Sequence, residues 1–225
     1  MHSFHTATRW TGIWVLVMAL LACSESRHVV TRQTDEQIGF KRIGVLPFHV
    51  VRPSVGETIA QCPLSGDTFM AGRVEPGASE VLTQLLQDRL AGKPQFYSAP
   101  ESVTEGIWKD FLACQKPTID VSFTAKLGKE LDADGLLLGF VYAFRERVGT
   151  VYSAETPALV SFDLYLVESA TGRVVWKATF SRSQKSLSEN VLDLGEYVQG
   201  GMRWLTVSEL ASLGLNEVLK KLPVY

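Results

Sequence analysis

The sequence has little of what usually announces a chemistry. Its 22 Lys and Arg are spread against 24 Asp and Glu, for a formal net charge of −2, and nowhere do they form a basic block. Phosphate contacts need such a block, so nucleic acid is not expected as a partner. Histidine is scarce, and beyond residue 22 only His28 and His49 are present. There is no phosphate loop, nucleophile elbow or HExxH, the familiar motifs of phosphate binding, acyl transfer and zinc hydrolysis. The three cysteines, Cys23, Cys62 and Cys114, are too few and too far from histidine for a protein-only zinc site. No metal and no cofactor are therefore expected. The chain also has no internal repeat and no low-complexity segment, and after residue 22 no apolar run nears the about 20 residues that cross a bilayer.

The remaining candidates for chemistry read as structure. Asp132–Gly135, "DADG", begins like a calcium loop but has no closing glutamate at the right spacing, which leaves a polar turn between helix and strand. Asp163 and Glu168 stand on one alternating strand an odd number of residues apart, so they face opposite sides and make no acid–base pair. His49, just after Pro47 and Phe48, reads as a strand-end residue. No catalytic residue is expected, and the chain is not read as an enzyme.

The amino-terminal segment is informative. From Trp10 to Cys23 there is no charge, Ile13 to Ala22 is almost wholly apolar, and Arg9 is the only charged side chain before it. That is the outline of a signal peptide. Leu20, Leu21, Ala22 and Cys23 resemble the lipobox of bacterial lipoproteins, although Leu21 is larger than the residue usual in its slot. The resemblance implies that residues 1–22 are removed and that Cys23 is acylated on its sulfur and its new amine. Two acyl chains already hold a protein stably, so three anchor it firmly. Ser24, rather than Asp, resembles the pattern that sends such proteins to the outer membrane. The alternative is an ordinary secretory signal in which Cys23 is incidental. Either route exports the chain, and in an oxidising compartment Cys62 and Cys114 are most simply read as one disulfide. Closing a loop of about 50 residues contributes on the order of 4 kcal/mol in the chain-entropy model. Otherwise Cys114 is a buried helix thiol and Cys62 a loop residue.

Residues 23–37 lack periodicity and are mostly polar, which predicts a flexible tether; residues 38–225 form the folded body, a single domain. With 46% hydrophobic and 20% charged residues it is able to bury one sizeable core. "FKRIGVLPFHV" predicts a buried strand in which Pro47 lies at a strand end, an edge or a bulge, since proline cannot donate to a sheet ladder. The long, Gly- and Pro-dotted stretch 52–77 is functional or pinned, with Cys62 as a candidate pin. Ala78–Leu90 places Val81, Leu82, Leu85, Leu86 and Leu90 on one helix face. "QFYSA" is a short strand, parallel to the first. Two helices follow, the first with a capping box at Ser102 and Glu105 and the second carrying Val121, Phe123, Leu127 and Leu131. Leu136 to Phe144 is a central strand covered on both faces. "ALVSFDLYLVE" and "RVVWKATFS" form an antiparallel hairpin with one apolar and one wetter side. Thr206 and Glu209 have capping-box spacing at the start of a terminal helix, and "LNEVLKKL" reads as a second helical piece. The expected fold class is α/β: one mixed sheet in the order β-α-β-α-α-β-β-β, packed with helices, plus C-terminal helices.

"KRIGVLPF", "AKLGKELDADGLLLGFV" and "LYLVESATGRVVW", in that order, resemble the envelope lipoproteins grouped around the curli secretion lipoprotein and the penicillin-binding-protein activator. The likeness spans about Lys41 to Arg182. It implies a periplasm-facing domain, lipid-anchored in the outer membrane, that works without catalysis by binding an envelope protein or further copies of itself. A subunit of a secretion pore is the alternative within that family, and a periplasmic hydrolase the alternative outside it. A pore would need spanning strands of about 10 alternating residues. Neither 145–157 nor 52–77 offers them.

Overall fold

A computed structural model describes residues 29–33, 39–100, 102–106, 108, 119–184 and 203–223. Cys23, His28, Cys114 and the second half of the helix expected after Ser102 lie outside the described residues; 102–106 are helical. The strands are β1 (Val29–Gln33), β2 (Ile43–Val45), β3 (His49–Val50), β4 (Ile59–Gln61), β5 (Thr68–Met70), β6 (Phe96–Ser98), β7 (Gly135–Arg145), β8 (Val148–Gly149), β9 (Ala154–Thr156), β10 (Leu159–Glu168) and β11 (Val174–Ser183). The helices are α1 (Ala78–Leu90), α2 (Val121–Leu131) and α3 (Val207–Leu219).

One mixed sheet runs β6-β2-β7-β10-β11-β1, with β3 also paired to β7. β2 lies parallel to β6 and β7, as a βαβ crossover through α1 requires, while β7, β10, β11 and β1 are successively antiparallel. The expected strands, layers and parallel pairing are all present. Strand β1 was not foreseen: it lies within the stretch read as a tether and pairs along its length with β11, Val29 opposite Phe180 and Gln33 opposite Trp176. The β-branched run Val29-Val30-Thr31 suits an edge strand, and five residues are too few for periodicity to separate from a linker.

Pro47 sits where the ladder breaks. Val45 is opposite Leu137 and His49 opposite Phe140, so four steps on this chain match three on β7, and one residue is extra. That is a bulge, which places the proline nitrogen where no donor is needed. Helix α1 completes it: Thr83 Oγ1 accepts from Phe48 N at 2.9 Å and Ser79 Oγ donates to Phe48 O.

Alternation along β7 and β10 splits their side chains between two buried layers. Leu137, Val141, Phe162, Leu164 and Leu166 meet α1 through Leu82, Leu86 and Leu90, and α3 through Leu210, Ala211, Leu215 and Val218. Leu136, Leu138, Phe140, Tyr142, Tyr165 and Val167 meet α2 through Phe123, Leu127 and Leu131. Residues Gly135 to Phe144 are all buried, as a strand covered on both faces must be. Helix α3 is continuous across the two expected pieces. Gly214 at its middle is a close approach rather than a break, since a Cβ there would stand 2.6 Å from the Phe180 ring. The expected capping box is formed, with Thr206 Oγ1 accepting from Glu209 N at 3.2 Å and Glu209 Oε2 accepting from Thr206 N at 2.9 Å.

Candidate functional site

The 52–77 stretch folds over the second buried layer. Its strands β4 and β5 pair only with each other among the described residues, Ile59 opposite Met70 and Ala60 opposite Phe69. Period-two alternation gives the hairpin two faces. The inner one buries Ala60 and lays the Phe69 ring parallel to Tyr142 at 4.1 Å. The outer one leaves Ile59 49% and Met70 73% exposed, with Val55 fully exposed in the preceding turn. Two large apolar side chains exposed side by side form a patch of the kind used for protein contact.

Beneath the inner face lies a polar layer that sequence reading missed. Asp163 is fully buried on β10, and its Oδ2 accepts from Tyr165 Oη at 2.8 Å and Tyr142 Oη at 3.3 Å. Lys177 Nζ on β11 stands 3.5 Å from the same oxygen and also bonds Asp67 of the hairpin. Its ammonium lies between the rings of Phe69 and Tyr165, 5.4 and 5.2 Å from their centroids. Burial raises the Asp163 pKa, and the Lys177 ammonium opposes that shift. Burial first, and the Asp163 charge second, push both phenols up, so Tyr142 and Tyr165 stay neutral donors. Alternation puts Asp163 and Tyr165 on one face, and the hairpin register sets Lys177 opposite Tyr165. The signal was therefore present in the wetter side of the β10–β11 hairpin, whose covering by residues 52–77 no local pattern reveals.

Cys62 follows β4 and is a buried free thiol, its Sγ donating to Tyr165 Oη at 3.3 Å. It pins the hairpin by burial and this hydrogen bond, and Ser65 Oγ adds a second contact to Tyr165 at 2.8 Å. A thiol at Cys62 differs from the disulfide expected there. Glu168 stays apart from Asp163, at the last position of β10, where it pairs with Arg173 at 3.5 Å. His49 belongs to β3, and its ring stacks on Trp108 at 4.3 Å. Burial first and the Arg52 charge second lower its pKa to about 4.

The "DADG" turn is structural. Asp132 ends α2 in the left-handed conformation, and Asp134 accepts from Lys41 N at 2.8 Å and Arg42 N at 2.9 Å, fixing the entry to β2 against β7. Among the described residues no group of three or more His, Cys, Asp or Glu side chains is gathered so as to hold a metal. No described helix is long and apolar enough to cross a membrane.

The sequence matches no protein-family model and no curated protein. Among solved structures the chain is similar to the PelC dodecamer from Paraburkholderia phytofirmans, with 16% identity over 88% of this chain and 99% of that one, at a TM-score of 0.48. It is similar to lipoprotein GNA1162 from Neisseria meningitidis, with 16% identity, 72% and 96% covered, and a TM-score of 0.39. The LpoB C-terminal domain from Escherichia coli is a third, with 13% identity, 78% and 98% covered, and a TM-score of 0.36. At these identities and scores the likeness is one of fold outline alone.

Proposed function

We propose that the chain is a non-catalytic envelope lipoprotein, anchored through Cys23 in the outer membrane and facing the periplasm, which binds a protein partner through the outer face of the β4–β5 hairpin. The observation that carries the binding surface is the exposed Ile59–Met70 pair on a hairpin whose other face is fastened to the sheet. Solvent-facing apolar pairs are held in place at a cost in hydration, and contact with a partner removes that cost. The anchor is supported by the lipobox-like Leu20-Leu21-Ala22-Cys23. Burial of Asp163 beneath the hairpin, with its carboxylate occupied by Tyr142, Tyr165 and Lys177, leaves it without the open access a hydrolytic acid or base requires.

A photo-crosslinking residue introduced at Met70 in living cells is expected to give a discrete adduct, whereas the same residue at exposed Lys93, on the turn after α1, gives none. Equal yields at the two positions would remove the hairpin as the contact surface. The anchor is read separately: intact mass of the mature protein should show an acylated Cys23, and Cys23→Ser should leave the membrane fraction.

A further inference from the structure

We propose that residues 52–71 form a lid that opens as a unit on hinges at β7, with Lys177 as its latch. Both stalks of this segment leave the sheet from neighbouring positions. Val51 N donates to Val141 O at 3.0 Å and Gly72 N donates to Tyr142 O at 3.1 Å, so the segment between them leaves and rejoins the sheet at adjacent points of one strand. At Gly72 a Cβ would stand 2.7 Å from Ala143 Cβ, so the second stalk lies hard against β7. Beyond the stalks no ladder joins β4 or β5 to the main sheet among the described residues. Such a flap, short of backbone bonds to its surroundings, belongs to the class of elements that open below the global unfolding free energy.

What holds the lid down is a small set of side-chain contacts and one backbone hydrogen bond. Phe69 stacks on Tyr142, Ala60 and Cys62 are buried, Ser65 and Cys62 reach Tyr165, and the Pro63 carbonyl accepts from Ile119 N. The charged link is Asp67 to Lys177. Lys177 is shared: its ammonium serves Asp67 on the lid and Asp163 on the sheet. Closure takes the Asp163 carboxylate out of water and leaves it Tyr142, Tyr165, Lys177 and Thr179 as partners. Opening returns water to that carboxylate and to both phenols, which offsets part of the cost of wetting the apolar side chains under the lid. Lys177 remains beside Asp163 in either state, so the bond that opening breaks is the one to Asp67.

The lid carries the contact surface proposed above, but its opening is measured without a partner, so each reading stands or falls on its own result. Amide hydrogen exchange on the full-length protein in detergent should show residues 59–70 exchanging at least on the order of ten-fold faster than the paired amides of β7 and β10. Asp67→Asn, at a half-exposed position, should speed exchange in 59–70 by on the order of ten-fold while β7 and β10 keep the wild-type rates. Equal protection of lid and sheet overturns the proposal. So does an Asp67→Asn variant in which the lid is unchanged, or in which lid and sheet accelerate together.

Discussion

His49 holds its imidazole against Trp108 and edge-on to Phe140, 6.5 Å between centroids, with the Arg52 charge nearby. A proton on that ring would be buried and would stand near the Arg52 charge, so its folded pKa falls from 6.5 to about 4. Above pH 6.5 the ring is neutral in folded and unfolded chains and the stability contribution is complete; between 6.5 and about 4 the unfolded chain takes the proton first, and stability falls. The loss approaches on the order of 3 kcal/mol at the lower limit. Urea denaturation at pH 7 and at pH 4.5 should show it, and His49→Phe should remove this component of the pH slope; an unchanged slope in that variant would contradict the assignment. Cys62, a buried thiol bonded to Tyr165, should resist alkylation in the folded protein and react once the chain is denatured, with no reductant added. Recovery of the label only after reduction would establish the disulfide that the export signal suggests.

At the scale of elements, the short bulge between β2 and β3 is held by a helix rather than by its own strand. The Phe48 amide, buried beneath α1, has the Thr83 hydroxyl as its acceptor. Thr83→Val keeps the shape and removes the acceptor, leaving a buried N–H unpaired at a cost of about 1–3 kcal/mol. Equilibrium denaturation should find a lowered midpoint at unchanged m-value, and no change would mean that another acceptor takes the amide. Helix α3, by contrast, is fixed locally: Thr206 and Glu209 cap its first turn, and Arg203 beside Glu209 lowers that carboxyl to about 2. Because such caps and amphipathic faces are made by residues three or four apart, α1, α2 and α3 were legible in the chain. β1 was not, since a five-residue edge strand is selected by the free side of β11 and not by any pattern of its own.

Over the whole molecule, the sheet order follows from few residues. β2 is internal because α1 returns β6 to one side and Leu136 to Phe144, almost unbroken in apolar residues, must be flanked on the other. The Pro47 break was readable for the same reason: an internal strand has both edges paired, and proline is admitted only where pairing lapses. The polar layer of Tyr142, Asp163, Tyr165 and Lys177 was not readable as a buried group. Asp163, Tyr165 and Lys177 are ordinary on a half-solvated strand, and the sequence of β10 and β11 is compatible with water on that side. Residues 52–77 exclude the water, from a position about 100 residues away in the chain.

The amino-acid sequence by itself determined the α/β class, the helix faces, the capped start of α3, the antiparallel β10–β11 hairpin and the apolar character of β7, because each is set by side chains within a few residues of one another. Only the tertiary structure decided that β1 joins the sheet, that Cys62 and Asp163 share a closed layer, and that Ile59 and Met70 face outward. Those outcomes depend on which surfaces meet across the molecule, and burial, the property that turns Tyr142, Asp163 and Tyr165 into a closed polar layer, belongs to that meeting.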